Sequence, residues 1–181
     1  MGIDQLNEQV CPVARTVAQV GDSWTLMVVR ELFLGAKRYE EIRVQTGMSP
    51  QLLARRLREL VAAGIVARRQ YQERPPRFEF VLTEKGLDLW PVIIALRGWG
   101  ERWAKSRRET TLIALTHRSC GHTIEPVVAC PDCGEHLNAR STIAQMSKSM
   151  QRDRAQRRVQ NQQGAREKPR QPAKRAKGPR R

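Results

Sequence analysis

Aromatic side chains make up only 5% of the 181 residues. A core therefore has to be assembled mainly from Leu, Val, Ile and Ala, within an apolar fraction of 40%. No stretch approaches the roughly 20 apolar residues that a bilayer span needs, so no membrane partner is expected. The N-terminal MGIDQLNEQV lacks a basic region followed by an apolar run, and no secretory signal is expected there. Cysteine is limited to Cys11, Cys120, Cys130 and Cys133. Three of them cluster late, which suits a metal site in a reducing compartment better than a disulfide framework. A cytoplasmic, nucleoid-associated location follows as an expectation. Also missing are a Gly-rich phosphate loop, a nucleophile elbow, and any His–carboxylate arrangement outside the late cluster. An enzyme is not expected.

Acidic residues are scarce as well, 18 against 33 Lys and Arg, for a net charge of +15. Such a balance favours a polyanionic partner. Its distribution matters more than its size. Lys148–Arg181 holds 13 bases and two acids, whereas the rest of the chain holds 20 bases and 16 acids. Charge alone thus does not make the first part a DNA binder, and the case for that rests on pattern.

Residues 12–20 place Val13, Val17 and Val20 at helical spacing before Gly21. Asp22 or Ser23 can cap a second helix that ends at Gly35. Tyr39, Ile42 and Val44 predict a short third helix stopping at Gly47, and Ser49-Pro50 supplies an N-cap followed by proline where its missing N–H costs nothing. The fourth helix ends at Gly64. Ile65-Val66 and the stretch around Tyr71 then read as strand, with a tip at Glu73–Arg77 and a return strand alternating Phe78, Phe80 and Leu82. Thr83 caps a long apolar helix over 84–104, in which Pro91 predicts a kink or a break.

Three helices, then helix–strand–tip–strand, is the order of a winged helix-turn-helix. In that architecture the fourth helix enters the major groove with its N-terminal end, and the hairpin tip reaches an adjacent minor groove. The expected fold class is mainly α with a small β component. It comprises a winged helix-turn-helix with a dimerisation helix over 10–105, a hairpin resembling a zinc ribbon over 110–140, and a disordered basic tail over 147–181.

Several landmarks carry a family resemblance: Cys11-Pro12-Val13, Gly21-Asp22-Ser23-Trp24-Thr25, Arg30-Glu31-Leu32, Arg38-Tyr39-Glu40-Glu41-Ile42, Ser49-Pro50, Leu57-Arg58-Glu59-Leu60, Gly64-Ile65-Val66, Pro75-Pro76-Arg77 and Leu82-Thr83-Glu84-Lys85-Gly86. Over roughly residues 10–104 the chain resembles the HxlR-type regulators, a MarR-related group of bacterial winged-helix transcription factors. The resemblance implies a homodimer on a pseudo-palindromic operator. It also implies that Cys11, before its proline, could serve as a redox sensor, although a free buried cysteine is the plainer state. The effector, small-molecule or redox, is unknown.

On the fourth helix Leu53, Leu57, Leu60 and Val61 form the buried stripe, leaving Ser49, Gln51, Arg55, Arg56 and Arg58 for double-stranded DNA. Gln and Arg can bond adenine and guanine edges in bidentate fashion. Ser49, Gln51 and Arg55 should lie deepest in the groove. Arg58 is expected on phosphate, or paired with Glu59 or Glu31. Arg74 and Arg77 flank two prolines that stiffen the tip, and Lys37 and Arg38 are expected phosphate contacts. Trp99 and Trp103, with Leu96 and Ile93, exceed what so small a core needs, which points to a dimer interface.

Late in the chain, His117-x-x-Cys120-Gly121 and Cys130-x-x-Cys133-Gly134 each present two donors followed by a turn glycine, as zinc ribbons do. His122 competes with His117 as the fourth ligand, and His136 is a weaker competitor. Thr123–Ala129 between them is β-prone. The basic tail, nearly free of large apolar residues, is expected to be disordered and to attract phosphate on any sequence. The leading expectation is a sequence-specific transcriptional regulator. The alternative is a non-specific nucleic-acid-binding accessory protein acting through the hairpin and tail.

Overall fold

The computed structural model describes residues 6–104 and 113–167, with side chains up to residue 160. The elements follow the expected order: α1 Pro12–Val20, α2 Ser23–Phe33, α3 Tyr39–Thr46, α4 Pro50–Ala62, β1 Val66–Gln72, β2 Arg77–Leu82, α5 Glu84–Leu87, α6 Trp90–Trp103, β3 Leu115–Thr116, β4 Thr123–Ile124 and α7 Lys148–Glu167. Two compact units result. One is Thr16–Ile143, and the other comprises the described parts of Met1–Arg15 and Ala144–Arg181. Among the described residues no helix is long and apolar enough to cross a membrane.

Local chemistry sets the boundaries. The Asp22 carboxylate accepts the N–H groups of Trp24 and Thr25 at 3.0 and 3.1 Å, capping α2. Helix α3 ends on Gly47, whose φ of 68° a residue with a Cβ adopts only with strain. Ser49 Oγ then accepts the N–H of Leu52, and Pro50 opens α4. The buried core joins these elements through Val28 and Val29 of α2, Ile42 of α3, Leu53, Leu57 and Leu60 of α4, and Ile65 and Val66 where the chain enters the hairpin. The wing is antiparallel, with Val66 opposite Leu82 and Arg68 opposite Phe80. A hydrogen bond of 2.8 Å from Phe80 N–H to Lys37 O ties it to the α2–α3 connection.

Four expectations are refined. The single helix over 84–104 is broken into α5 and α6, with Pro91 in the first turn of α6, where no intrahelical donor is lost. The β-prone run Thr123–Ala129 forms strand only at Thr123–Ile124, with an isolated bridge from Ala129 to His136, because Pro126 has no N–H to give a ladder. The hairpin, expected as an appendage, falls in the same unit as α2–α6. Its first residues, 110–112, lie outside the described residues.

The fourth correction concerns the tail. Lys148–Glu167 is helical rather than disordered, and residues 168–181 lie outside the described residues. The compositional rule concerns burying a core. Helix formation also draws on local propensity, and Arg, Gln, Lys and Ala are good helix formers. Ser147 Oγ accepts the N–H of Met150 at 3.3 Å, and Asp153 pairs with Arg157 one turn on at 2.5 Å.

Candidate nucleic-acid interface

The two helices α3 and α4 are locked at their turn. Tyr39 Oη donates to Pro50 O at 2.7 Å, and the Thr46 hydroxyl donates to Ile42 O at 2.7 Å. At the start of α3, the Glu41 carboxylate accepts the N–H groups of Lys37 and Arg38, each at 2.9 Å. These backbone bonds, from Arg38 first and then Lys37, hold the Glu41 carboxyl below its ordinary value. The side chains of Lys37 and Arg38 stay exposed. The Arg38 guanidinium lies over the Tyr71 ring at 5.5 Å, which links the start of α3 to the wing.

Along α4, Gln51, Arg55 and Arg58 are exposed at i, i+4 and i+7, one stripe of the helix. Arg55 approaches Glu59 no closer than 3.9 Å, a contact worth little in water. Arg58 forms no ion pair among the described residues. Both acids expected for it are occupied, Glu31 by Arg30 and Glu59 by Arg56. Instead Arg58 lines, together with Arg68, Leu57, Phe78 and Phe80, a groove of about 590 Å3 between α4 and the wing.

Arg56 has a different task from the one expected. Its guanidinium bonds Asp22 at 2.9 Å and Glu59 at 2.7 Å, and the side chain is only 18% exposed. Asp22 therefore caps α2 and clamps α4 with one carboxylate. Arg56→Ala should cost about 1.5–3 kcal/mol of stability, the range for hydrogen bonds to charged groups, while leaving base preference unchanged. Urea midpoints and binding to variant DNA sites measure the two effects separately.

At the wing tip Arg74 and Arg77 are exposed and free of ion pairs among the described residues. The tip is braced by the Gln70 amide donating to Gln72 O at 3.1 Å and the Gln72 amide donating to Arg74 O at 2.9 Å. Arg68, which the sequence reading did not single out, rests its guanidinium 3.5 Å from the Phe78 ring centroid. Period-two alternation in β1 could have found it, since Arg68 shares a face with Val66 and Gln70.

The late donors form two pairs. His117 Nδ1 and Cys120 Sγ lie 3.2 Å apart. The backbone N–H groups of Cys133 and Asp132 bond the Cys130 sulfur and hold its thiol below the ordinary value. Among the described residues no three His, Cys, Asp or Glu donors converge on one point. All four cysteines are unpaired, and Cys11 is half-buried.

A family model described as HxlR-like helix-turn-helix matches residues 19–108, the region just described. The uncharacterized HTH-type transcriptional regulator Rv3095 of Mycobacterium tuberculosis is 38% identical over 129 residues, covering 71% of this chain and 81% of that one. The chain belongs to the HxlR-like helix-turn-helix family. The crystal structure of PA1607, a proposed transcription factor, superposes on this HxlR-like chain with a TM-score of 0.69 at 32% identity, covering 79% of this chain and 99% of that one. A second proposed transcription factor, PA1374 from Pseudomonas aeruginosa, gives a TM-score of 0.54 at 30% identity, covering 78% and 99%. The HxlR-like protein is thus a transcriptional regulator with a helix-turn-helix DNA-binding domain, and not an enzyme.

Proposed function

We propose that this HxlR-like regulator acts in the cytoplasm as a homodimer on a pseudo-palindromic operator, reading bases with Ser49, Gln51 and Arg55. Lys37, Arg38 and Arg58 bind phosphate, Arg68 adds to them from the groove wall, and Arg74 and Arg77 reach into the minor groove. The observation that carries this reading is the exposed stripe of Gln51, Arg55 and Arg58 on a helix whose opposite stripe is the buried core. An amide and a guanidinium near the start of a helix match adenine and guanine edges in the major groove.

Pairing of subunits is supported by α6, which buries no residue completely. Val92, Leu96, Trp99 and Trp103 recur along it at i, i+4, i+7 and i+11, and Trp99 and Trp103 are 63% and 70% exposed. This spacing lets a helix pack against its symmetry mate.

Selection of bound sequences from a random duplex pool should return a two-fold site. On the best site Gln51→Ala and Arg55→Ala should each cost about 1–3 kcal/mol and relax base preference at the contacted position. Equal affinity for the selected site and a scrambled duplex would replace this reading with that of a non-specific accessory protein.

A further inference from the structure

We propose that the two C-terminal turns hold one zinc ion per chain, with His117, Cys120, Cys130 and Cys133 as ligands. The turns share one backbone pattern. In the first, Gly121 N–H donates to His117 O at 2.8 Å and His117 N–H donates to His122 O at 2.9 Å. In the second, Gly134 N–H donates to Cys130 O at 2.9 Å and Cys130 N–H donates to Glu135 O at 2.9 Å. Gly121 and Gly134 both have φ of 73°, so each turn closes through a conformation that glycine tolerates. In both, the first residue and the residue before the glycine carry a nitrogen or sulfur donor. Two dissimilar sequences thus fold into the same turn and place metal-ligating side chains at the same two positions.

Distance agrees with that assignment. Zn–N and Zn–S bonds of roughly 2.0 and 2.3 Å at a tetrahedral angle separate the two donors by about 3.6 Å. His117 Nδ1 and Cys120 Sγ stand 3.2 Å apart, a few tenths of an ångström short of that chord.

Burial supplies the second, independent observation. From Ile113 to Ile143 no residue is buried, and Val127 and Val128 are 57% and 71% exposed. The stretch adds no buried residue to the core of the unit it shares with α2–α6, so its two turns have no packed core holding them to each other. The structure presents the ligands as two pairs, and an ion would complete the stretch by drawing the pairs together. Binding forms three Zn–S bonds and one Zn–N bond, and the three thiols release their protons to solvent. Four protein ligands with no open position make a structural site rather than a catalytic one.

The proposal is independent of DNA binding, and its test reads the metal directly. Full-length protein purified under reducing conditions is analysed for zinc, then stripped and titrated with cobalt(II). The expected results are one zinc per chain and the visible and near-ultraviolet bands of tetrahedral cobalt bound by thiolates. Both should be lost in Cys130→Ser/Cys133→Ser and in His117→Ala, and kept in His122→Ala. Should the serine variant fail to fold, the cobalt spectrum of the unaltered chain still decides. Zinc content no higher than in the serine variant, or a cobalt spectrum without thiolate bands, overturns the site. Loss in His122→Ala with retention in His117→Ala overturns the proposed ligand set.

Discussion

Leu53→Ala should remove about 2–5 kcal/mol of folding stability, the range for truncating a leucine in a packed core. Leu53 is 0% exposed and belongs to the cluster that joins α4 to Val28, Val29 and Ile42. A small domain holds about 5–15 kcal/mol in total, so this one change reaches a large fraction of it. The urea midpoint should fall at nearly constant slope, and DNA binding should disappear over the same temperature range as the helical signal. Val61 on the same helix is 38% exposed. Val61→Ala is the control and should cost well under half as much, because little apolar surface leaves water there. Equal losses for the two variants would show that the core does not lie where Leu53 places it.

Removing residues 148–181 should lower affinity for every duplex and leave the ranking of operator variants intact. The segment carries 13 Lys and Arg against two acids. Much of it coils into α7, a helix rich in Arg and Gln. Each phosphate neutralised contributes about −0.9 to the slope of log affinity against log salt on B-form DNA. Protein making 6–10 such contacts loses roughly 10³–10⁵-fold in affinity between 50 and 200 mM salt. Full-length and shortened proteins, titrated on an operator and a scrambled duplex across several salt concentrations, should differ by several units of slope and converge at high salt. A shortened protein with an unchanged slope and no operator preference would assign base reading to the tail.

Much of the DNA-binding body was legible because its boundaries are written in single residues. As caps and helix stops, Asp22, Ser49-Pro50, Gly47 and Thr83 each act within four positions of themselves, so linear order suffices to see that role. Arg56 was not legible in that way. Its partner Asp22 is 34 positions away, and nothing local distinguishes it from its neighbours Arg55 and Arg58. The tail was misjudged for another reason: low hydrophobicity limits the apolar core it can bury, yet Arg, Gln, Lys and Ala still favour a helix over Lys148–Glu167. At the late cysteines spacing revealed both donor pairs, since a turn of that length is a local object. The pairs do not converge on one point among the described residues; their separation is set by the path of residues 121–129, which no spacing encodes.

Arg97 joins two parts of this molecule that the chain itself keeps apart. Its side chain is 10% exposed. It bonds Glu101 at 3.1 Å on its own helix, Ile113 O at 2.6 Å and, more loosely, Glu125 at 3.4 Å beside β4. A guanidinium shared in this way ties the C-terminal hairpin to α6. α6 is also the helix that exposes Trp99 and Trp103. With zinc at the hairpin and pairing through α6, both proposed above, any coupling between them would run in both directions. By whatever factor an ion at the hairpin strengthens self-association through α6, self-association strengthens the hold on that ion by the same factor. Metal content would then rise with protein concentration, and the dependence should flatten once Arg97 no longer spans the two.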